Sequence, residues 1–137
     1  MLRAESKIRA RALQLLYAWD VTDALSLQVI AAGFSNLAGR MSKVIAAAEL
    51  LAGNVVADVD RLDAEIGSAA DNWRLERIGA VERNILRLAV YELHVRAVPP
   101  RVAIDEAIQL AHWFAGSKAP GFVNGVLDTI ARRMGRL

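Results

Sequence analysis

Apolar side chains recur along this chain at intervals of three and four residues, and the strict alternation of a half-buried strand is absent. That period gathers the apolar residues on one face of an α-helix. Alanine and leucine dominate, β-branched runs are short, and the three prolines fall near breaks in the pattern. The expected class is all-α with about seven helices and no internal repeat or linker. A composition that is 55% hydrophobic and 23% charged argues against intrinsic disorder. The absence of cysteine removes disulfides, zinc ribbons and thiol catalysis, and suits a reducing compartment. No apolar run approaches the ~18 residues of a membrane span, and the charged stretch after Met1-Leu2-Arg3 is not a secretory signal. A soluble, cytoplasmic protein without membrane contact is expected.

The first helix is expected over Glu5–Trp19, burying Ile8, Ala12, Leu15, Leu16 and Trp19 as one stripe. Asp20–Asp23 reads as a turn and cap opening a second helix over Ala24–Ala32, with Gly33 as its stop. Ser42 opens a long helix through Glu65, ended by Gly67-Ser68. Asp71-Asn72 caps a short turn around Trp73–Ile78. A strong helix over Ala80–Val95 turns Val81, Ile85, Leu88, Ala89 and Leu93 inward. Pro99-Pro100 breaks the chain before a helix over Val102–Phe114. Gly116-Ser117 precedes the last helix, which has Pro120 in its first turn and runs to Met134.

Signatures of catalysis are thin. His94 and His112 fall on different helices with no motif around them, and read as surface or half-buried helix residues. Asp58, Asp60, Asp63 and Glu65 lack the glycine turn and bidentate glutamate of a calcium loop, so a solvated helix face is expected. No glycine-rich phosphate loop is present. No enzyme activity, cofactor or metal is expected.

Charge is more informative. The first eleven residues carry four cations against Glu5, and the end carries Arg132, Arg133 and Arg136 without an acid. Each end is therefore +3, which leaves −4 between them in a chain of net +2. Basic ends on an acidic body suit a polyanion, although basic tails also serve solubility. Arg3, Lys7 and Arg11 advance by only about 40° per step and make a ridge, with Gln14 between them, away from the apolar stripe. Cations about 6 Å apart along a helix can follow a phosphate backbone, and Tyr17 at the far end of the ridge can stack on an unpaired base. The alternative is that Leu13 and Tyr17 form a second packing edge. Arg83 and Arg87 repeat the spacing on the fifth helix, where like charges repel unless an anion or a carboxylate such as Glu76 or Glu106 covers them. Lys118 lies in the turn before the last helix, whose N-terminal N–H groups also favour anions.

Several of these runs resemble the NusB family of transcription antitermination factors. Ile78–Leu93 is similar to that family's central helix and Val102–Ala111 to the next. The run Phe122-Val123-Asn124-Gly125-Val126-Leu127-Asp128 is the most diagnostic, and Arg9–Asp20 resembles the arginine-rich first helix, its basic head interrupted by Ser6 and Ile8. The likeness covers residues 7–20 and 73–131, while 21–72 match in helical pattern alone.

The resemblance implies one NusB-like domain over 1–137, built of helical subdomains 1–67 and 68–137. It implies a non-enzymatic factor that pairs with the small-subunit ribosomal protein NusE and binds boxA-type single-stranded RNA of ribosomal RNA operons. The pair then joins RNA polymerase with other Nus factors. Lys7, Arg9, Arg11, Tyr17, Arg83, Arg87, Lys118 and Phe122 are the expected RNA-binding residues, with Phe122 shared between RNA and core. The resemblance places the NusE groove around the turn before the fifth helix and the two helices after it, so Glu76 and Glu82 are the expected partner-binding residues. The motif also implies a close helix crossing at Gly125. A homodimer that hides the RNA face is open to such a protein. Other readings are a helical adaptor or regulator without RNA, a helix-turn-helix protein, and a module like the front end of ribosomal RNA cytosine methyltransferases. Neither Gly33 nor Gly67 sits in a helix-turn-helix pair, and no chain remains for a methyltransferase domain.

Overall fold

A computed structural model describes residues 3–22, 26–38, 42–70 and 75–137, without the side chains of 33–38 and 42. All regular structure among them is helical: α1 (Ala4–Val21), α2 (Leu27–Ala38), α3 (Ser42–Ala57), α4 (Val59–Ala69), a 3-10 turn (Leu75–Arg77), α5 (Ala80–His94), α6 (Pro100–Phe114) and α7 (Ala119–Arg133). The chain divides into two compact units, 1–57 and 58–137.

In the first unit α1 packs mainly on α3, with α2 touching both. Ala12, Leu15 and Leu16 of the expected stripe are buried, while Ile8 and Trp19 are half-buried. The facing residues of α3 are Ile45, Ala48, Ala52 and Val55, three or four apart. Small side chains at 48 and 52 leave a groove for the leucines of α1, each of which contributes about 1.5–3 kcal/mol on burial.

Helix α2 departs from expectation. It begins after Ser26, whose Oγ accepts the Val29 N–H at 3.4 Å, and it continues through Gly33 to Ala38. A serine cap satisfies an N-terminal N–H, and an interior glycine costs only about 1 kcal/mol against alanine, so Gly33 need not stop a helix. Asp23 and Asp71–Arg74, expected caps and turn residues, lie outside the described residues.

The second unit is organised around α5, which packs on α4, α6 and α7. Consequently every residue from Asn84 to Val90 is buried, well beyond the expected stripe, while Val81 at its start is only half-buried. The long helix expected from Ser42 to Glu65 is broken at Asp58, and Gly67-Ser68 lies inside α4. The units therefore part between Ala57 and Asp58, not at residue 67.

The acidic residues of α4 are only in part a solvated face: Asp60 is exposed, but Asp63 and Glu65 are not free in solvent. Asp63 accepts both Arg87 Nε at 2.7 Å and Arg87 Nη2 at 2.8 Å, and Glu65 receives His94 Nε2 at 2.7 Å. Asp58 pairs with Arg61 across one turn. Asp63 and Glu65 thus bind α4 to α5, a role that periodicity within α4 cannot reveal. The unit closes at its C-terminus with Gly135 at φ 72°, where the Arg136 N–H bonds the Ala131 carbonyl at 2.9 Å. Glycine suits this left-handed helix stop because it has no Cβ to clash.

One sequence expectation fails near the C-terminus. Gly125 is exposed, and a Cβ there would meet nothing within 4 Å, so no helix crosses it closely. The last arginines also find partners within their own unit. Arg132 Nε bonds Asp128 at 2.9 Å, Arg133 bonds the Ser68 hydroxyl, and Arg136 Nη2 donates to the Val98 carbonyl at 2.9 Å. The hydrogen bond and charge of Asp128 raise the pKa of Arg132 further. Among the described residues no helix is long and apolar enough to cross a membrane.

Candidate nucleic-acid interface

The first unit presents its candidates along α1. Arg3, Gln14 and Tyr17 are exposed, and Lys7 and Arg11 are half-buried. Arg11 Nη1 donates to Gln14 Oε1 at 3.1 Å, which holds the guanidinium along the ridge. Tyr17 is 42% accessible while Leu13 is buried, so the two do not form one packing edge. Arg9 lies on the inner side of α1 and is buried, so it is not part of the outer ridge.

The second unit places a groove of about 320 Å³ between two helix starts. One wall is Arg77 and Ile78 of the 3-10 turn with Gly79 and Glu82 at the start of α5. The other is Gly116, Lys118, Ala119 and Phe122 at the start of α7. Both walls expose helix N-termini, which favour negative charge. At α5 this tendency is answered internally, because the Glu82 carboxylate folds back against Gly79 and occupies the space a side chain there would need. Glu82 is the third residue of α5, the position from which a carboxylate serves the first turn. The start of α7 carries no acid in its first turn, and Lys118 stands exposed beside it. Phe122 is half-buried, with part of its surface toward the groove.

The structure therefore brings Lys118, Phe122 and Glu82 together on one groove, although sequence reasoning assigned them to two different ligands. Glu76 is exposed on the 3-10 turn and does not line the groove. Arg87 is not a surface cation: it is buried, bound to Asp63, and donates from Nη1 to Asn84 Oδ1 at 3.1 Å. Arg83 also points back into its own unit, donating to the Ile78 carbonyl at 2.8 Å. Sequence reasoning did not bring Arg77 to this groove. Its position beside the basic and aromatic groove residues depends on where the 3-10 turn meets α7, which no local pattern records.

This chain is similar to known proteins over nearly its whole length. The family model described as "NusB family" matches residues 6–132. The transcription antitermination protein NusB of Sorangium cellulosum is 39% identical over 135 residues, covering 98% of this chain and 96% of the relative. That of Solibacter usitatus is 39% identical over 138 residues, covering 97% and 92%. Among solved structures, T. maritima NusB superposes with a TM-score of 0.84 at 28% identity, covering 96% of this chain and 93% of that one. A chain from a crystal structure of the antitermination factors NusB and NusE in complex with double-stranded RNA gives 0.83 at 28% identity, covering 97% and 99%.

Proposed function

The chain belongs to the NusB family, and on that footing we propose that it is an RNA-binding transcription antitermination factor that pairs with NusE and engages boxA-type RNA. It acts by binding and assembly, without catalysis, in the cytoplasm. The observation that carries this reading is the groove between α5 and α7. Arg77 and Lys118 can meet phosphates there, a helix N-terminus adds favourable potential, and Phe122 offers a ring to a base. The α1 ridge adds Lys7 and Arg11 as phosphate contacts and Tyr17 as a second ring. A groove that sets a ring beside cations suits an unpaired strand, whose bases are open to stacking, better than duplex DNA.

The exposed Glu76 suits the NusE side of the assembly. A ribosomal protein that binds RNA is basic, and a carboxylate facing it speeds encounter more than it strengthens the complex. Glu82 serves the first turn of α5 and lines the groove, so its charge acts on stability as well as on any ligand.

The test is RNA binding by fluorescence anisotropy with a short boxA-type strand, with and without co-purified NusE, over a salt series. Lys118→Ala combined with Phe122→Ala weakens binding at every salt concentration, and duplex DNA competes poorly. Wild-type affinity in the folded double variant would remove the groove from the RNA site.

A further inference from the structure

Arg83 shares its spacing with Arg87 and, read as a pattern, belongs with the phosphate contacts. Its hydrogen bonds give it other work. Nη1 donates to the Ile78 carbonyl at 2.8 Å and reaches the Leu75 carbonyl at 3.4 Å. These are the carbonyls at the two ends of the 3-10 turn, and the Ile78 N–H bonds back to Leu75 at 3.1 Å. The Leu75 carbonyl thus already has a donor within the turn, whereas the Ile78 carbonyl lies past the end of that turn and beyond its own 3-10 bond. The Arg83 backbone N–H meanwhile bonds the Gly79 carbonyl at 2.8 Å, anchoring the residue in the first turn of α5. The Arg83 side chain therefore ties the turn to α5, and the same turn supplies Arg77 and Ile78 to the groove.

We infer that Arg83 is a positioning residue for RNA binding: it holds the 75–78 turn in the shape that presents Arg77 to the groove, and does not itself meet a phosphate. The inference rests on the RNA reading given above. Arginine suits the task because its guanidinium is always charged and has several donors in a rigid plane, so one group serves two carbonyls. Lysine carries the same charge as a compact point on a flexible stem and does not reproduce that geometry. The arrangement also explains why Arg83 and Arg87 tolerate their four-residue spacing. One is directed toward backbone carbonyls and the other toward Asp63, so neither charge is left facing the other uncompensated.

The experiment compares Arg83→Gln and Arg83→Lys with the wild-type chain in three measurements. These are thermal melting, amide hydrogen exchange at Ile78 without RNA, and affinity for a boxA-type strand across a salt series. Arg83→Lys keeps the stem and charge and guards against a loss of fold. Both variants are expected to melt as cooperative folded proteins and to exchange the Ile78 amide faster. Both should bind RNA about tenfold more weakly, the loss expected when charged hydrogen bonds no longer hold a contact in place. Because the displaced turn carries Arg77 off its phosphate, the salt slope should become shallower by up to about 0.7 in both variants alike, with no recovery in Arg83→Lys. A slope shallower by about 0.7 in Arg83→Gln, with full recovery in Arg83→Lys, would instead identify a phosphate contact and overturn the inference. Unchanged exchange at Ile78 would overturn it whatever the RNA result. Failure of the wild-type chain to bind RNA would overturn the parent reading, and the exchange data would still decide whether Arg83 holds the turn.

Discussion

Lys7 and Arg11 on α1 and Arg83 and Arg87 on α5 are cation pairs with the same four-residue spacing, and the two helices put them to opposite use. Helix α1 packs on α3 and α2 from one side, so its outer face keeps Lys7 and Arg11 partly in solvent. Helix α5 is packed by α4, α6 and α7, so few directions remain open along its middle. A cation there must find an anion or a carbonyl, because an unpaired buried charge costs several kcal/mol. Arg87 finds Asp63 and Arg83 finds the turn before α5. Equal spacing along a helix therefore says nothing about equal function. The number of neighbours around the helix decides it.

The sharpest way to break this contrast is Arg87→Ala. It leaves Asp63 and Asn84 without their shared donor and should cost about 3 kcal/mol in urea unfolding. A loss under about 0.5 kcal/mol, as for an ordinary surface change, would mean that the buried pair is not structural.

The counterpart on α1 is Lys7→Ala combined with Arg11→Ala. Stability should stay within about 0.5 kcal/mol. Binding to boxA-type RNA should weaken, and the slope of log affinity against log salt should become shallower by about 1.4, the value for two phosphate contacts on a single strand. An unchanged slope in the folded variant would take α1 out of the RNA site.

Glu76→Lys sharpens the contrast on the acidic side, since Glu76 is exposed where Asp63 is paired. Association with NusE, followed by stopped flow, should slow several-fold at low salt, and the difference should shrink as salt rises. If rate and salt dependence both match wild type, the partner docks away from this turn.

The smallest effect is expected at Gly125. With open space at its Cβ, Gly125→Ala should raise stability by about 0.5–1 kcal/mol through helix propensity alone. A destabilised variant would restore the close helix crossing that the family motif suggested.

Most of the fold was legible in the sequence because helix formation and amphipathic spacing are local. The positions of α1, α5, α6 and α7 follow from apolar repeats and from Pro100, Pro120 and Gly116 at their ends. The misread boundaries have local causes of a weaker kind. Gly33 and Gly67 read as stops in the sequence, yet glycine only lowers helix propensity, and tertiary packing overrides about 1 kcal/mol easily. Asp58 breaks the long helix with no proline or glycine to announce it.

The candidate site divides along the same line. Tyr17 on the outside of α1 and Lys118 at the start of α7 could be placed from period and helix ends, because a helix fixes the direction of its own side chains. The inward turn of Arg9, the union of Arg87 with Asp63 across 24 residues, and the meeting of Arg77 with Lys118 and Phe122 could not. Each depends on which helix lies alongside, and that is settled by packing many apolar side chains at once. The amino-acid order determined an all-α chain with basic first-helix and aromatic surfaces. Tertiary packing decided which of its cations remain at the surface to meet RNA and which are held inside as part of the framework.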